Sequence, residues 1–290
     1  TTENSGSLNI KEADFTVGVG TADISELQVE NLKGSCGMGD MELTLTGKNC
    51  GMEERAPMCG VPFHSAEAYI ARLVEKGYKV AICEQTEDPA SSKGIVSREV
   101  IQIVTPGTVI SSAMLKENEN NYIASVYVRE VSIGLSYCDI STGEIRLTEI
   151  RGTGRNENLV NELVKINARE VILDNFAAEA IDMNSIKPIT SAYFNILNES
   201  YYKQDAVRNA IKRQFNISSV FGIGIDENSP AEYALGALLI YLHETQKNSL
   251  GHIADLNIYS MGQRMALDKS TIKNLELTET LFEKKVKGSL

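Results

Sequence analysis

The sequence lacks most of the features that identify membrane, secreted and metal-binding proteins. Its 290 residues include no tryptophan, three histidines and five cysteines. The cysteine count is odd and no pair has C-x-x-C spacing, which argues against a disulfide framework and against a zinc site. The longest apolar run, near residues 234–242, is far shorter than the roughly 18 residues that span a bilayer. We expect a cytoplasmic protein from a reducing compartment, with no membrane segment.

A surplus of positive charge is also missing. Lysine and arginine number 28 against 39 aspartates and glutamates, so the formal net charge is −11. Proteins that hold nucleic acid mainly through bulk charge are basic. Any contact of this chain with DNA therefore has to come from a local patch.

The sequence carries no established catalytic motif. A phosphate-binding G-x-x-x-x-G-K-[ST] loop is absent, as are the G-x-S-x-G of hydrolases and the H-E-x-x-H of metalloproteases. The short G-x-G pieces lack the strand and helix that a dinucleotide site requires. We therefore predict that this chain is not an enzyme and that it binds no cofactor.

Regular patterning begins after residue 40. Residues 1–40 have weak periodicity and contain loop-like glycine pairs at 17–20 and 37–39. The alternating run ELTLT at 42–46 predicts a short strand. A helix follows Ser65, a candidate N-cap, and ends near Gly77, a candidate left-handed cap. Two further strands are predicted at 78–83 and 98–104. These elements indicate a small α/β or α+β module.

A second module follows a polar linker. Residues 111–121 read SSAMLKENENN, and three strand-like runs come next. The turn at 141–143 favours an antiparallel meander. Helical and strand patterns then alternate, so the chain as a whole is of the α/β class. The predicted elements of this module are strands at 122–128, 132–138, 144–150 and 170–173, and helices at 159–166, 205–214 and 231–246. Residues 265–267 and 272–277 are strand-like or short helical.

Three carboxylates form one candidate site. Asp139 ends a predicted strand, Glu144 follows a turn and Asp174 ends a later strand. If these strands lie in one sheet, carboxylates gathered at one of its edges can hold two Mg²⁺ ions for phosphodiester cleavage. The alternative is that these residues belong to turns and strand ends, where aspartate is common. The Ser-Thr-Gly that follows Asp139 favours this alternative.

The segment from Lys48 to Ser65 forms the other candidate site. Lys48, Asn49 and Arg55 are predicted in a loop, and His64 and Ser65 open a helix. Free N–H groups at a helix start suit phosphate. Met58 is the kind of apolar side chain that lies against a sugar or a base edge. A surface loop with a capped helix explains the same residues without a ligand.

Several of these motifs, in the same order, resemble the bacterial MutS family of DNA mismatch repair proteins. Residues 57–66, PMCGVPFHSA, are similar to the family signature I-P-M-x-G-[VI]-P-[YF]-H-[SA]. The other matching segments are ELTLTGKNCG at 42–51, YKVAICEQ at 78–85, EDP at 87–89, KG at 93–94, VTPGT at 104–108, DISTGE at 139–144 and NLEL at 274–277.

The resemblance implies a domain plan. It comprises an unmatched or rearranged region over 1–40, an incomplete α+β mismatch-binding domain over 41–110, a linker over 111–121, a ribonuclease-H-like α/β connector over 122–247, and the start of a lever or core domain over 248–290. In this family the connector is not a nuclease. Full-length members are homodimers that encircle DNA, recognise mispairs or small loops, and use ATP and Mg²⁺ to signal to downstream repair proteins.

Two departures from the family pattern limit what the resemblance implies. The family reads a mispair with a Phe-x-Glu segment placed before the ELTLT strand, and here Gly39 and Asp40 run directly into Met41. Phe15 is followed by Thr16 and does not substitute for that segment. The ATPase domain of the family is absent from this sequence. No residue is therefore named as a mispair reader, a catalytic group or a nucleotide ligand.

Three functions follow as hypotheses. The leading one is a DNA mismatch repair module with weak or non-specific DNA binding, in which Lys48, His64 and Ser65 lie near phosphate and Asn49 and Met58 approach the groove. The second is a connector remnant that binds proteins and not DNA. The third is a Mg²⁺-dependent nuclease that uses Asp139, Glu144 and Asp174. A monomer is plausible because the family's main dimer contacts lie in domains outside these matches.

Overall fold

The computed structural model describes residues 15–17, 34–38, 41–48, 56–60, 65–86, 97–109, 120–190, 192–247, 250–260, 271 and 274–276. The chain divides into two compact units. The first consists mainly of residues 1–106, and the second begins with Gly107–Ile110 and continues mainly through 115–245 and 249–290.

The first unit contains two three-stranded sheets. One has the order β1-β5-β6, with β1 parallel to β5 and β6 antiparallel to it; the other is antiparallel with the order β2-β3-β4. The strands are β1 (Phe15–Val17), β2 (Gly34–Met38), β3 (Met41–Lys48), β4 (Ala56–Gly60), β5 (Val80–Gln85) and β6 (Arg98–Val104).

Two loop predictions in the first unit are wrong for the residues that the structure describes, whereas residues 18–20 and 39 lie outside the described residues. Val17 ends β1 rather than opening a loop, and Gly37 and Met38 lie inside β2. Both strands are short, and each pairs with a better-patterned partner, β5 or β3. In β2, pairing with β3 outweighs the low strand propensity of its two glycines.

Helix α1 (Ala66–Glu75) follows its sequence pattern. Its apolar stripe buries Ile70, Leu73 and Val74. Gly77 has φ 87°, and its N–H donates to the Val74 carbonyl at 2.8 Å, so it closes the helix in the left-handed region as predicted. Ser65 stands at the N-cap position, but its side chain makes no capping hydrogen bond.

The second unit is built on a six-stranded mixed sheet with the order β11-β10-β7-β8-β9-β12. Strands β7, β8 and β9 are antiparallel neighbours, which confirms the predicted meander. Strand β10 is parallel to β7, β11 to β10 and β12 to β9. The strands are β7 (Tyr122–Val128), β8 (Ser132–Asp139), β9 (Glu144–Arg151), β10 (Glu170–Leu173), β11 (Tyr193–Ile196) and β12 (Asp255–Ile258).

Helices cover both faces of this sheet. One core joins the face with Ile123, Leu147 and Ile172 to α5 and α6, and the other joins the opposite face to α2 and α3. The helices are α2 (Arg155–Ile166), α3 (Asn175–Ala180), α4 (Met183–Ile186), α5 (Gln204–Phe215) and α6 (Pro230–Gln246), with short 3-10 helices at Glu199–Tyr202 and Val220–Ile223. Among the residues described, none of the helices combines the length and apolar character that a membrane crossing needs.

The start of α6 explains why this strongly apolar helix begins where it does. The N–H of Glu232 donates to Ser229 Oγ at 3.2 Å, while the buried Glu232 carboxylate accepts from the N–H of Asn228 at 2.5 Å. Arg208 of α5 donates through Nε to the same carboxylate at 3.0 Å. Ser229 and Glu232 thus form a capping-box-like start, which Arg208 links to the neighbouring helix.

Candidate nucleic-acid interface

The structure places Lys48 and Met58 on paired strands and not in a loop. Lys48 is the last residue of β3, opposite Ala56, and Met58 lies in β4, opposite Thr46. The two positions are therefore two residue pairs apart on one sheet. The loop prediction is wrong for Lys48 because β3 extends two residues beyond the alternating run at 42–46.

The rest of the predicted interface is described in part. Asn49, Arg55 and His64 lie outside the described residues. Ser65 is described, and it immediately precedes α1. The first turn of that helix carries Glu67, a carboxylate that interacts favourably with the positive end of the helix dipole. Because Glu67 brings negative charge to the helix start, this end of α1 is a weaker phosphate site than the sequence suggested.

The three carboxylates of the nuclease hypothesis do not gather. Asp139 pairs with both Tyr122 and Glu144, so Asp139 and Glu144 lie at the end of the sheet where β7 begins. Leu173 pairs with Val126, so Asp174, which follows it, falls at the level of Tyr127, near the other end of β7. Five residues of strand separate the two positions, roughly 16 Å at about 3.3 Å per residue. The described residues contain no group of three or more metal-ligand side chains.

Asp139 instead organises a turn. It is 2% exposed, and its Oδ1 accepts from the N–H of Ser141 at 2.9 Å and from Ser141 Oγ at 2.6 Å. Its Oδ2 accepts from the N–H of Asn121 at 3.1 Å. These three donors satisfy the carboxylate locally, which is the turn role that the following Ser-Thr-Gly indicated.

Asp174 is a helix cap. Its Oδ1 accepts from the N–H of Ala177 at 2.7 Å, as an N-cap of α3. Burial raises the pKa of Asp174 above its ordinary value, although the backbone hydrogen bond opposes that shift. The folded unit therefore holds a proton on Asp174 more tightly than the unfolded chain does.

The raised pKa of Asp174 gives a testable pH dependence. Its stabilising effect is complete below the unfolded pKa, about 3.9, and falls as pH rises through the higher folded pKa. Asp174→Asn keeps a capping oxygen without the charge, so its advantage over the native protein should be larger at pH 6 than at pH 3. Asp174→Ala should cost about 1 kcal/mol of unfolding free energy because the cap is lost. Urea unfolding of both variants at the two pH values tests this, and a larger advantage of Asp174→Asn at pH 3 would contradict it.

Sequence reasoning missed a buried carboxylate, Glu170, at the start of β10. It is 1% exposed, and its two oxygens accept from groups that are distant in sequence, namely Gly107, Tyr241 and Asn195. The sequence did contain one indication of this buried site, because Glu170 is a carboxylate at the start of the apolar run EVIL. Its partners lie 25 to 71 positions away, and no local pattern indicates them.

Comparison with known families finds two domains in tandem. Residues 36–113 match the model of MutS domain I, and residues 121–254 match that of MutS domain II. The chain belongs to the MutS family. The resemblance found in the sequence and the α/β fold class are thereby confirmed.

Three relatives show how much of a MutS protein is present. Each is described as DNA mismatch repair protein MutS. That of Alkaliphilus oremlandii is 47% identical over 255 residues, which is 87% of this chain and 29% of the relative. That of Lachnoclostridium phytofermentans is 43% identical over 252 residues, 87% of this chain and 27% of the relative. That of Clostridioides difficile is 43% identical over 251 residues, 86% of this chain and 26% of the relative.

The chain thus spans less than a third of the MutS proteins that it matches. The matched families are domains I and II. The domain bounds drawn from the sequence at 40/41, 110/111, 121/122 and 247/248 stay predictions. The interface residues Lys48, Asn49, Met58, His64 and Ser65 stay predictions as well.

Proposed function

We propose that this chain is a DNA mismatch repair module that binds duplex DNA weakly, through phosphate contacts, and does not distinguish a mispair from a matched pair. The matches to MutS domains I and II support a role in DNA mismatch repair. The net charge of −11 supports weak rather than strong binding. The domains that match are I and II, and we assign no ATP hydrolysis to them.

The observation that carries the absence of mispair preference is the β2–β3 pairing. Met38 of β2 pairs with Met41 of β3, so two residues, Gly39 and Asp40, connect the strands. A two-residue connection leaves no length for a Phe-x-Glu segment and its surrounding helix between them. An aromatic wedge is what partly unstacks a base step in the family's mode of binding. Without one, DNA contacts are limited to the backbone and the groove rim.

Lys48 has the role of a phosphate contact in this proposal, with Ser65 and His64 near the same backbone and with Asn49 and Met58 toward the groove. The β3–β4 register supports treating Lys48 and Met58 as one surface, because their positions are two residue pairs apart. A single lysine contributes a sequence-independent term. Its loss should therefore weaken binding to every duplex alike.

Titration of a fluorescent G·T-mismatched duplex and its matched twin, at low and at physiological salt, tests this function. The expected result is equal affinity for the two duplexes, falling steeply as salt rises. Lys48→Ala should weaken both equally and reduce the salt slope by about 1. Lys187→Ala, an equal charge change at an exposed position of the second unit, is the matched control.

The outcomes of this titration separate the hypotheses. A preference for the mismatched duplex would overturn the proposed absence of a reader. If Lys48→Ala lowers the affinity no more than Lys187→Ala does, Lys48 does not contact DNA.

Absence of binding at either salt would favour the second candidate function, a connector that contacts downstream repair proteins and not DNA. The net charge of −11 supports this candidate, because it opposes binding to DNA. Sedimentation velocity of the same sample distinguishes the monomer that we propose for this chain from the homodimer expected for full-length family members.

A further inference from the structure

The proposed function does not explain the VTPGT motif of the sequence resemblance, at residues 104–108. The second unit begins at Gly107, directly after Pro106 of the first unit. Gly107 and Thr108 are buried, and Val109 is 7% exposed. We call Gly107–Val109 the strap segment. Burial of a segment outside any helix or strand requires partners for its backbone groups.

Glu170 supplies one of those partners. The N–H of Gly107 donates to Glu170 Oε2 at 3.0 Å, and the bond is buried. The other oxygen of the carboxylate, Oε1, accepts from Tyr241 Oη at 2.7 Å and from Asn195 Nδ2 at 3.3 Å. Asn195 Nδ2 also donates to Tyr241 Oη at 3.2 Å. One oxygen of Glu170 thus binds the strap segment, while the other is held by β11 and α6.

Asn121 supplies another partner at the far end of the strap segment. Its side-chain Nδ2 donates to the Val109 carbonyl at 3.4 Å, and its own N–H donates to Asp139 Oδ2 at 3.1 Å. All three residues are buried. The strap segment is therefore fastened to the sheet of the second unit at both ends, by Glu170 and by Asn121.

Position 107 has to be glycine because there is no room for a Cβ atom. A Cβ built there would lie 2.8 Å from Glu170 Cβ and 2.8 Å from Ile123 Cβ. Both neighbours are in strands of the central sheet, β10 and β7, and neither atom is the mobile end of a side chain. The backbone at Gly107 thus lies directly on the sheet, which is how its N–H reaches the Glu170 carboxylate.

We propose that Glu170 is a positioning residue that holds the strap segment on the sheet and so fixes the point at which the chain enters the second unit. The carboxylate does this because a hydrogen bond to a charged acceptor is about twice as strong as a neutral one in a buried site. The inference concerns the second unit alone, and its outcome does not depend on DNA binding.

Hydrogen exchange of the backbone N–H of Gly107, measured by NMR on the full chain, tests the proposal. Glu170→Ala should accelerate that exchange by roughly ten- to hundredfold, the loss expected for a hydrogen bond to a charged group. Gly107→Ala should push the strap segment away from the sheet without changing the side chains of Glu170, Tyr241 and Asn195. Hydrogen exchange at residues 107–109 should then be faster. Exchange in β8 is the internal reference for global unfolding.

Tyr241→Phe is the matched control. It removes a hydrogen bond from the same carboxylate but leaves the Gly107–Glu170 bond in place, so exchange at Gly107 should change less than in Glu170→Ala. The proposal is overturned if Glu170→Ala accelerates Gly107 no more than β8, because Glu170 would then contribute to general stability alone. It is equally overturned if Tyr241→Phe accelerates Gly107 as much as Glu170→Ala does.

Discussion

Replacing Gly134 with alanine is expected to cost about 3 kcal/mol of unfolding free energy or more. Gly134 is the third residue of β8, paired with Tyr127 and Glu149. A Cβ there would lie 2.0 Å from the carbonyl oxygen of Pro230 and 2.7 Å from the backbone nitrogen of Ala231. These are backbone atoms at the start of α6, so no rotamer change relieves the overlap.

The size of the effect follows from what has to move. The start of α6 is fixed by Ser229 and Glu232, and Glu232 is in turn held by Arg208. Shifting α6 away from β8 therefore strains the helix cap, the ion pair and the core between helix and sheet together. Close-packed interiors transmit such strain instead of absorbing it.

Urea unfolding followed by circular dichroism measures the cost, with Gly222→Ala as the matched control. A Cβ at Gly222 would meet nothing within 4 Å, so this control should change stability by less than about 0.5 kcal/mol. Equal midpoints for Gly134→Ala and the native protein would contradict the close approach of α6 to β8. An equally large loss in the control would show that the overlap with α6 is not the cause of the loss at Gly134.

The elements that sequence predicted best are those with strong local periodicity. Strands β6, β7 and β10 have the predicted bounds, and α6 begins within one residue of its predicted start. Each carries an apolar pattern that is complete within its own length, so the neighbouring structure adds little information.

Two strands that sequence reasoning missed depend on partners that are distant along the chain. Strands β11 and β12 are four residues each and lie at the two edges of the sheet, where they pair with β10 and β9. Strand β12 mixes aspartate and asparagine with its apolar residues. Such segments become strands because an existing edge offers hydrogen bonds, and their own composition does not predict it.

In the candidate site too, sequence predicted the role that depends on neighbouring residues and missed the contacts that depend on distant ones. The identity of Asp139 as a turn residue was the alternative favoured by its neighbours in sequence, and its hydrogen bonds to Ser141 agree with it. The separation of Asp139 from Asp174 required strand directions, because only the parallel pairing of β10 with β7 sends Asp174 to the opposite end. Glu170 required still more, since its donors come from three separate parts of the chain.

Alanine at position 236 is expected to reverse the usual effect of a glycine-to-alanine change in a helix. In an exposed helix interior the change stabilises by about 1 kcal/mol. Gly236 lies inside α6, where a Cβ would be 2.4 Å from Val207 Cγ1 and 2.8 Å from Val207 Cα. Because the second neighbour is backbone of α5, the two helices must separate, and we expect a net loss of about 2 kcal/mol.

A double-mutant cycle with Val207→Ala tests whether this helix contact is the cause. Val207 is fully buried, so Val207→Ala alone should also destabilise, by about 2 kcal/mol. It removes Cγ1 but leaves Cα and Cβ, so the double variant should lose less than the sum of the single losses by about 1 kcal/mol, without returning to native stability. Additive losses would place the strain elsewhere, and a stabilising Gly236→Ala would mean that α5 and α6 are not in close contact. The glycine at 236 is then explained by the approach of two helices on one face of the sheet, as Gly134 is by the approach of helix and strand. In both places a missing side chain determines how closely α6 packs.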